Sequence, residues 1–97
     1  MVLINTFSIP QGKEEEFVKM WTEALEFIKN EPGFIDAKLH RSLDPNAQFQ
    51  FINVAHWETR DAWQAAFDKL QPQELTKQVS FEQIPALYEV AVHFKRE

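Results

Sequence analysis

The chain has 97 residues, 44% of them hydrophobic, and a formal net charge of -5, which suits one domain over residues 1–97 able to bury about two thirds of its unfolded surface without staples. The acidic balance leaves no basic face for a nucleic-acid backbone. The absence of cysteine removes disulfides, thiolate nucleophiles and cysteine-ligated metal and fits a cytoplasmic setting, and the opening VLINTFSIP lacks the length and basic start of a signal segment or membrane span.

Val2 to Ile9 is dense in β-branched and aromatic residues and reads as a first strand, closed by Pro10 and Gly12. From Lys13 to Asn30 the apolar residues Phe17, Met20, Trp21, Ala24, Leu25 and Ile28 recur at spacings of three and four, with Glu14, Glu15 and Glu16 in the first turn, where the helix dipole favours them. The period predicts a long amphipathic helix. Three consecutive carboxylates point in different directions around a helix, so they read as a solvated helix start rather than a metal site. Pro32-Gly33 ends the segment, Phe34 to Ser42 reads as a second strand, and Asp44-Pro45-Asn46 forms a turn into a third strand from about Gln48 to Glu58.

Thr59 is placed to cap a second helix carrying Trp63, Ala66, Phe67 and Leu70 on one stripe. A short helical piece near Gln73 to Gln78 and an irregular connection through Pro85 lead to a last strand, Ala86 to Lys95. The order β-α-β-β-α-β predicts an α+β, ferredoxin-like fold with a four-stranded antiparallel sheet and both helices on one face. The uncovered face predicts a homodimer.

Chemistry concentrates in INVAHWETRDAWQAAF, residues 52 to 67. Strand alternation puts Phe49, Phe51, Asn53, Ala55 and Trp57 on one side of the third strand, and Gln50, Ile52, Val54, His56 and Glu58 on the other. The first set is either ordinary core or the wall of a pocket with one amide and one indole donor. Asn53 is what core packing leaves unexplained, because a buried amide without partners costs stability. A second copy of the sheet is the expected cover for that face, although alternation leaves open which face meets a ligand and which a partner. His40, His56 and His93 are the candidates by residue type for proton transfer, with His56 facing away from Asn53. There is no Gly-rich phosphate loop, no nucleophile with partners at recognisable spacing, and no cluster of metal-ligand type.

With EPGF after the first helix, FIDAKLHRS in the second strand, and N-x-x-x-W-E followed by an aromatic residue six positions beyond the Trp, the chain resembles the antibiotic biosynthesis monooxygenase family. That resemblance implies a dimeric α/β barrel and a cofactor-independent monooxygenase, without metal or flavin, that oxidises a phenol, a hydroquinone or a polyketide-like aromatic substrate with O2. It assigns Asn53 and Trp57 to catalysis. Trp63, where the quinone-forming members carry Tyr, is expected to meet substrate together with Asn5, Phe51 and His40. Asn5 reads either as a second pocket amide or as a strand residue bonded to a neighbouring loop. A haem-degrading branch of the superfamily uses an Asn on the first strand, a Trp in the second helical region and a downstream His. Asn5 matches the first, Ala66-Phe67 stand at the second, and no His falls between His56 and His93. A non-catalytic dimeric small-molecule-binding protein of the same fold is the other alternative.

Overall fold

Alternating burial builds the two inner strands. In β1 (Val2–Ser8) the side chains of Leu3, Asn5 and Phe7 are buried, and in β3 (Phe51–Trp57) those of Phe51, Asn53, Ala55 and Trp57. The computed structural model describes residues 1–70 and 81–96, so the helical piece expected near Gln73 to Gln78 lies outside the described residues. Between β1 and β3 run α1 (Glu14–Ile28) and β2 (Phe34–Arg41), and after β3 come α2 (Arg60–Leu70) and β4 (Glu82–Tyr88). The strands form an antiparallel sheet in the order β2-β3-β1-β4, the predicted ferredoxin-like arrangement.

The sheet does not close into a barrel, which corrects the expectation of a dimeric α/β barrel. Closure requires the outermost strands to find partners on both sides, whereas β2 pairs only with β3 and β4 only with β1. The expectation that a second copy covers Asn53's face is also corrected, because the chain's own helices lie there. Phe17 and Met20 of α1 pack with Phe7, Ile9 and Phe51, and Ala66 of α2 packs with Leu3, Ala55 and Trp57.

Both helices begin as their sequences predict. The Thr59 hydroxyl accepts the Ala62 N–H at 3.1 Å, satisfying one of the donors that a helix start leaves open. The three glutamates of α1 go separate ways: Glu14 accepts the Gly12 N–H at 3.3 Å, Glu15 meets Arg41 at 3.0 Å and Glu16 meets Lys13 at 3.5 Å. Gly33 has φ +84 and a Cβ there would lie 2.5 Å from the Ala62 Cβ, so the turn into β2 approaches α2 as closely as a glycine allows.

Two boundaries differ from expectation. β3 begins at Phe51 rather than Gln48, and Phe49 lies beside His40, Arg41 and Ile52 instead of sharing Asn53's face. The last strand is Glu82–Tyr88, with Pro85 inside it opposite Asn5. A proline within a strand is tolerated at a sheet edge, where its missing N–H costs no ladder bond. The alternating Val90, Val92 and Phe94, which read as strand, are 70%, 71% and 89% exposed and follow the strand rather than form it.

Candidate functional site

The register of the inner strands explains where the molecule is hollow. Phe7 pairs with Phe51, Asn5 with Asn53, and Leu3 with Ala55, so a row of two amides crosses the sheet between two apolar rows. On one side of it is an aromatic cluster in which Phe17 lies 4.9 Å from Phe7 and 5.0 Å from Phe51, with Trp21 5.2 Å from Phe7. On the other side Trp57 meets Phe34 edge-on at 5.3 Å, over Leu3, Ala55 and Ala66. Between these two packed regions, under both helices, is a cavity of about 520 Å³. That size falls within the range of small-molecule sites.

The polar atoms around it are unusual for a core. Asn5 and Asn53 are 3% and 2% exposed. The Oδ1 atoms of both amides and the indole Nε1 atoms of Trp21 and Trp57 are buried with no hydrogen-bond partner among the described residues, and all four residues line the cavity. Each such group costs on the order of 1–3 kcal/mol relative to a satisfied one. Two acceptors and two donors concentrated at one cavity form a set that a ligand can satisfy. The amides differ in restraint: Asn5 Nδ2 donates to Gln83 Oε1 at 2.9 Å, whereas the Asn53 side chain makes no hydrogen bond among the described residues.

None of the described residues lining the cavity carries a titratable group. The described wall is therefore neutral. Charge stays at the periphery, where Arg41, paired with Glu15, lies 5.3 Å over the outer side of the Phe51 ring. Such a site can bind an uncharged ring and stabilise developing negative charge with indole and amide N–H groups, but its described wall offers no general base.

Of the residues expected at the site, Asn53, Trp57, Trp63 and Asn5 line the cavity. Phe51 does not. It is 1% exposed inside the aromatic cluster, one row beyond the amides. His40 does not either. It pairs with Ile52, whose side chain faces away from Asn53, and its Nδ1 lies 3.3 Å from the Ile52 carbonyl oxygen on the outer face. The β-bulge at Ile35 sets that parity, placing Phe34 opposite Trp57 and Asp36 opposite His56. His56 likewise points outward, 2.6 Å from Asp36. Trp21 and Gln83 were missed. Trp21 sits on the apolar stripe of α1 and reads as core until its N–H is found unpaired, and Gln83 lies on a strand whose start was placed too late.

A model of the family described as "Antibiotic biosynthesis monooxygenase" matches residues 1–74. The chain belongs to this family. Among solved structures, a Shewanella loihica PV-4 protein, whose own monooxygenase assignment is provisional, shares 32% identity and a TM-score of 0.83 over 95% of this chain and 94% of that one. SnoaB, a cofactor-independent oxygenase from Streptomyces nogalater, shares the fold at 21% identity and a TM-score of 0.67, covering 94% of each chain. A mycobilin-producing heme oxygenase of Mycobacterium tuberculosis is 31% identical over 65 residues, which are 67% of this chain and 60% of that relative's length. Among the described residues no helix is long and apolar enough to cross a membrane.

Proposed function

We propose that this family member binds an uncharged, oxygen-bearing aromatic ring in the cavity and oxygenates it with O2 without metal, flavin or haem. The carrying observation is the set of unpaired neutral donors and acceptors on the described residues that line the cavity. In the simplest case a phenol and O2 give a quinone and water. The ring loses its O–H and one C–H hydrogen, one oxygen atom enters the ring, and the other leaves as water. The substrate supplies the electrons, and its own acidity supplies the proton step. Asn53 and Trp57 act as the catalytic donors to developing oxygen charge, and Trp63 and Asn5 position the ring. Four strand residues span roughly 13 Å, so Asn53 and Trp57 bracket the ligand rather than share one oxygen.

Haem chemistry is favoured by the mycobilin-producing relative and by Asn5 on the first strand. Among the described residues no histidine reaches the cavity to serve as an axial ligand for haem. An axial ligand is needed, but of the three histidines two face the outer side of the sheet and His93 lies exposed beyond β4. Non-catalytic binding is favoured by the lack of a base in the described wall.

Oxygen uptake by metal-stripped protein with a panel of hydroquinones and polycyclic phenols separates these readings. Turnover that survives chelation and falls in both Asn53→Ala and Trp57→Phe supports the proposal. A Soret shift on haem titration, with haem-dependent turnover, sinks it in favour of the second reading. Saturable binding with uptake no faster than autoxidation leaves the binding role.

The homodimer in this reading uses the outer face, where Ile84 and Tyr88 are 61% and 51% exposed beside half-buried Ile4, Ile52 and Val54. Light scattering should give twice the 11.4 kDa chain mass, and Ile84→Lys should give the single chain.

A further inference from the structure

Resting on the reading of the cavity as a ring-binding site, we propose that Trp21 is a ligand-contacting residue whose indole N–H donates to an acceptor oxygen of the bound ring, while the Asn5 and Asn53 amides take its hydroxyl. The cavity then selects ligands that carry both a hydroxyl and a carbonyl, and not simply any phenol.

Three observations on Trp21 converge. Its Nε1 is buried and unpaired, a costly arrangement for a donor that has no alternative role. The residue lines the cavity from the α1 side, whereas both amides rise from the sheet. Its ring is also clamped, stacked on Phe17 at 6.3 Å with planes 16° apart and meeting Phe7 edge-on at 5.2 Å, so packing sets the direction of the N–H. A free indole on a helix stripe would turn toward water. This one is held with its polar atom buried. The neighbouring indole of Trp63 shows the contrast, since it packs on Phe67 at 5.4 Å and its N–H is not among the buried unpaired atoms.

The donor and acceptor map follows. Side by side on paired strands, the Asn5 and Asn53 oxygens accept, and paired side chains of an antiparallel ladder lie about 5 Å apart, close enough to share one hydroxyl or take two. The Asn5 oxygen, fixed by the Nδ2 bond to Gln83, repels a carbonyl oxygen, so a ring lacking a hydroxyl leaves it unpaired. Indole donors cannot accept, so a ring lacking an acceptor leaves Trp21 unpaired. A site built to hydrogen-bond a ligand group discriminates against analogues that lack it.

The test uses a matched pair, 6-hydroxy-2-tetralone and 6-hydroxytetralin, in which an unconjugated ketone replaces one ring CH2 and leaves the phenol's acidity nearly unchanged. Dissociation constants are measured by titration with wild-type protein, Trp21→Phe and Trp57→Phe. Trp21→Phe should weaken the ketone ligand about tenfold, the fold-change expected for one lost hydrogen bond to a buried donor, and leave the tetralin unchanged. In wild-type protein the indole N–H proton resonance of Trp21, assigned by the Phe variant, should move downfield with the tetralone and not with the tetralin. This second readout stands even if Trp21→Phe folds poorly.

Equal weakening of both ligands would show a packing role and overturn the proposal. So would a loss confined to Trp57→Phe, an unmoved Trp21 resonance, or failure of both phenols to bind. Oxygen uptake with the phenol panel reports separately. Selective binding without uptake would sink the oxygenase reading and leave Trp21's role standing, and uptake without Trp21 selectivity would do the reverse.

Discussion

Replacing Asn53 by leucine should make the protein more stable and less able to bind ligand. The amide is 2% exposed, its Oδ1 has no partner, and its side chain makes no hydrogen bond among the described residues. Leucine is close to asparagine in shape, so the substitution removes an unsatisfied acceptor without opening a void, and the relief is on the order of 1–3 kcal/mol. For a chain of this length each kcal/mol raises Tm by about 4–8 °C. Urea denaturation with an unchanged slope separates a true stability gain from a change in the unfolded state. Affinity for a hydroxylated ring should fall about tenfold in the same variant, the trade of function for stability expected at a binding site. A drop in urea midpoint would refute the reasoning, because it would mean that the amide is held by partners and serves the fold.

Phe51→Ala should behave in the opposite way. This ring is 1% exposed and packs on Phe17 at 5.0 Å, so truncation should cost about 3–5 kcal/mol, read as a lowered urea midpoint, and lower ligand affinity only as far as it unfolds the protein. Gly33→Ala forces a Cβ to 2.5 Å from Ala62 at φ +84 and should destabilise by roughly 1–3 kcal/mol, with partial rescue by Ala62→Gly in a double-mutant cycle. Because no described residue lining the cavity titrates, the pH profile of kcat/KM should track the ionisation of each phenol tried and shift from one phenol to another. His40→Ala, on the outer face, should leave that profile in place, and a profile fixed across phenols but lost in His40→Ala would overturn the assignment.

The fold was largely legible because its signals are local. A 3.6-residue stripe over α1, a cap at Thr59 and period-two burial in β3 each depend on neighbours in sequence. What was not legible depends on pairing. Asn53 announces itself as an amide among apolar residues, but its juxtaposition with Asn5 follows from the register of two strands far apart in sequence, which composition does not encode. His40 was misplaced because a bulge at Ile35 shifts β2 by one residue, and a one-residue shift turns every side chain to the other face. Pro85 was read as a break because its tolerance depends on β4 being an edge, and topology comes before that inference, not after it. Trp21 was hidden by its own spacing. The helical period that buries an indole ring is the same whether its N–H is satisfied or reserved.

The two amides should divide the work of the proposed reaction unequally. A neutral phenol donates its O–H and is met by an amide oxygen. A phenolate accepts, so an amide oxygen beside it is repulsive and only an N–H stabilises it. Asn5 is tied by its Nδ2 bond to Gln83 at 2.9 Å and presents oxygen throughout, which suits ground-state binding. Asn53 carries no such bond among the described residues, and the terminal torsion of an Asn side chain is broad and roughly two-fold, so it can turn from acceptor to donor as the proton leaves. Interactions made only in the transition state lower kcat when removed, whereas uniform binding appears in KM. Steady-state kinetics on a phenol should therefore show Asn5→Ala raising KM with kcat preserved, and Asn53→Ala lowering kcat about 10²-fold. Equal losses of kcat in both variants would mean that the Gln83 bond does not distinguish them, and the division of labour would fall.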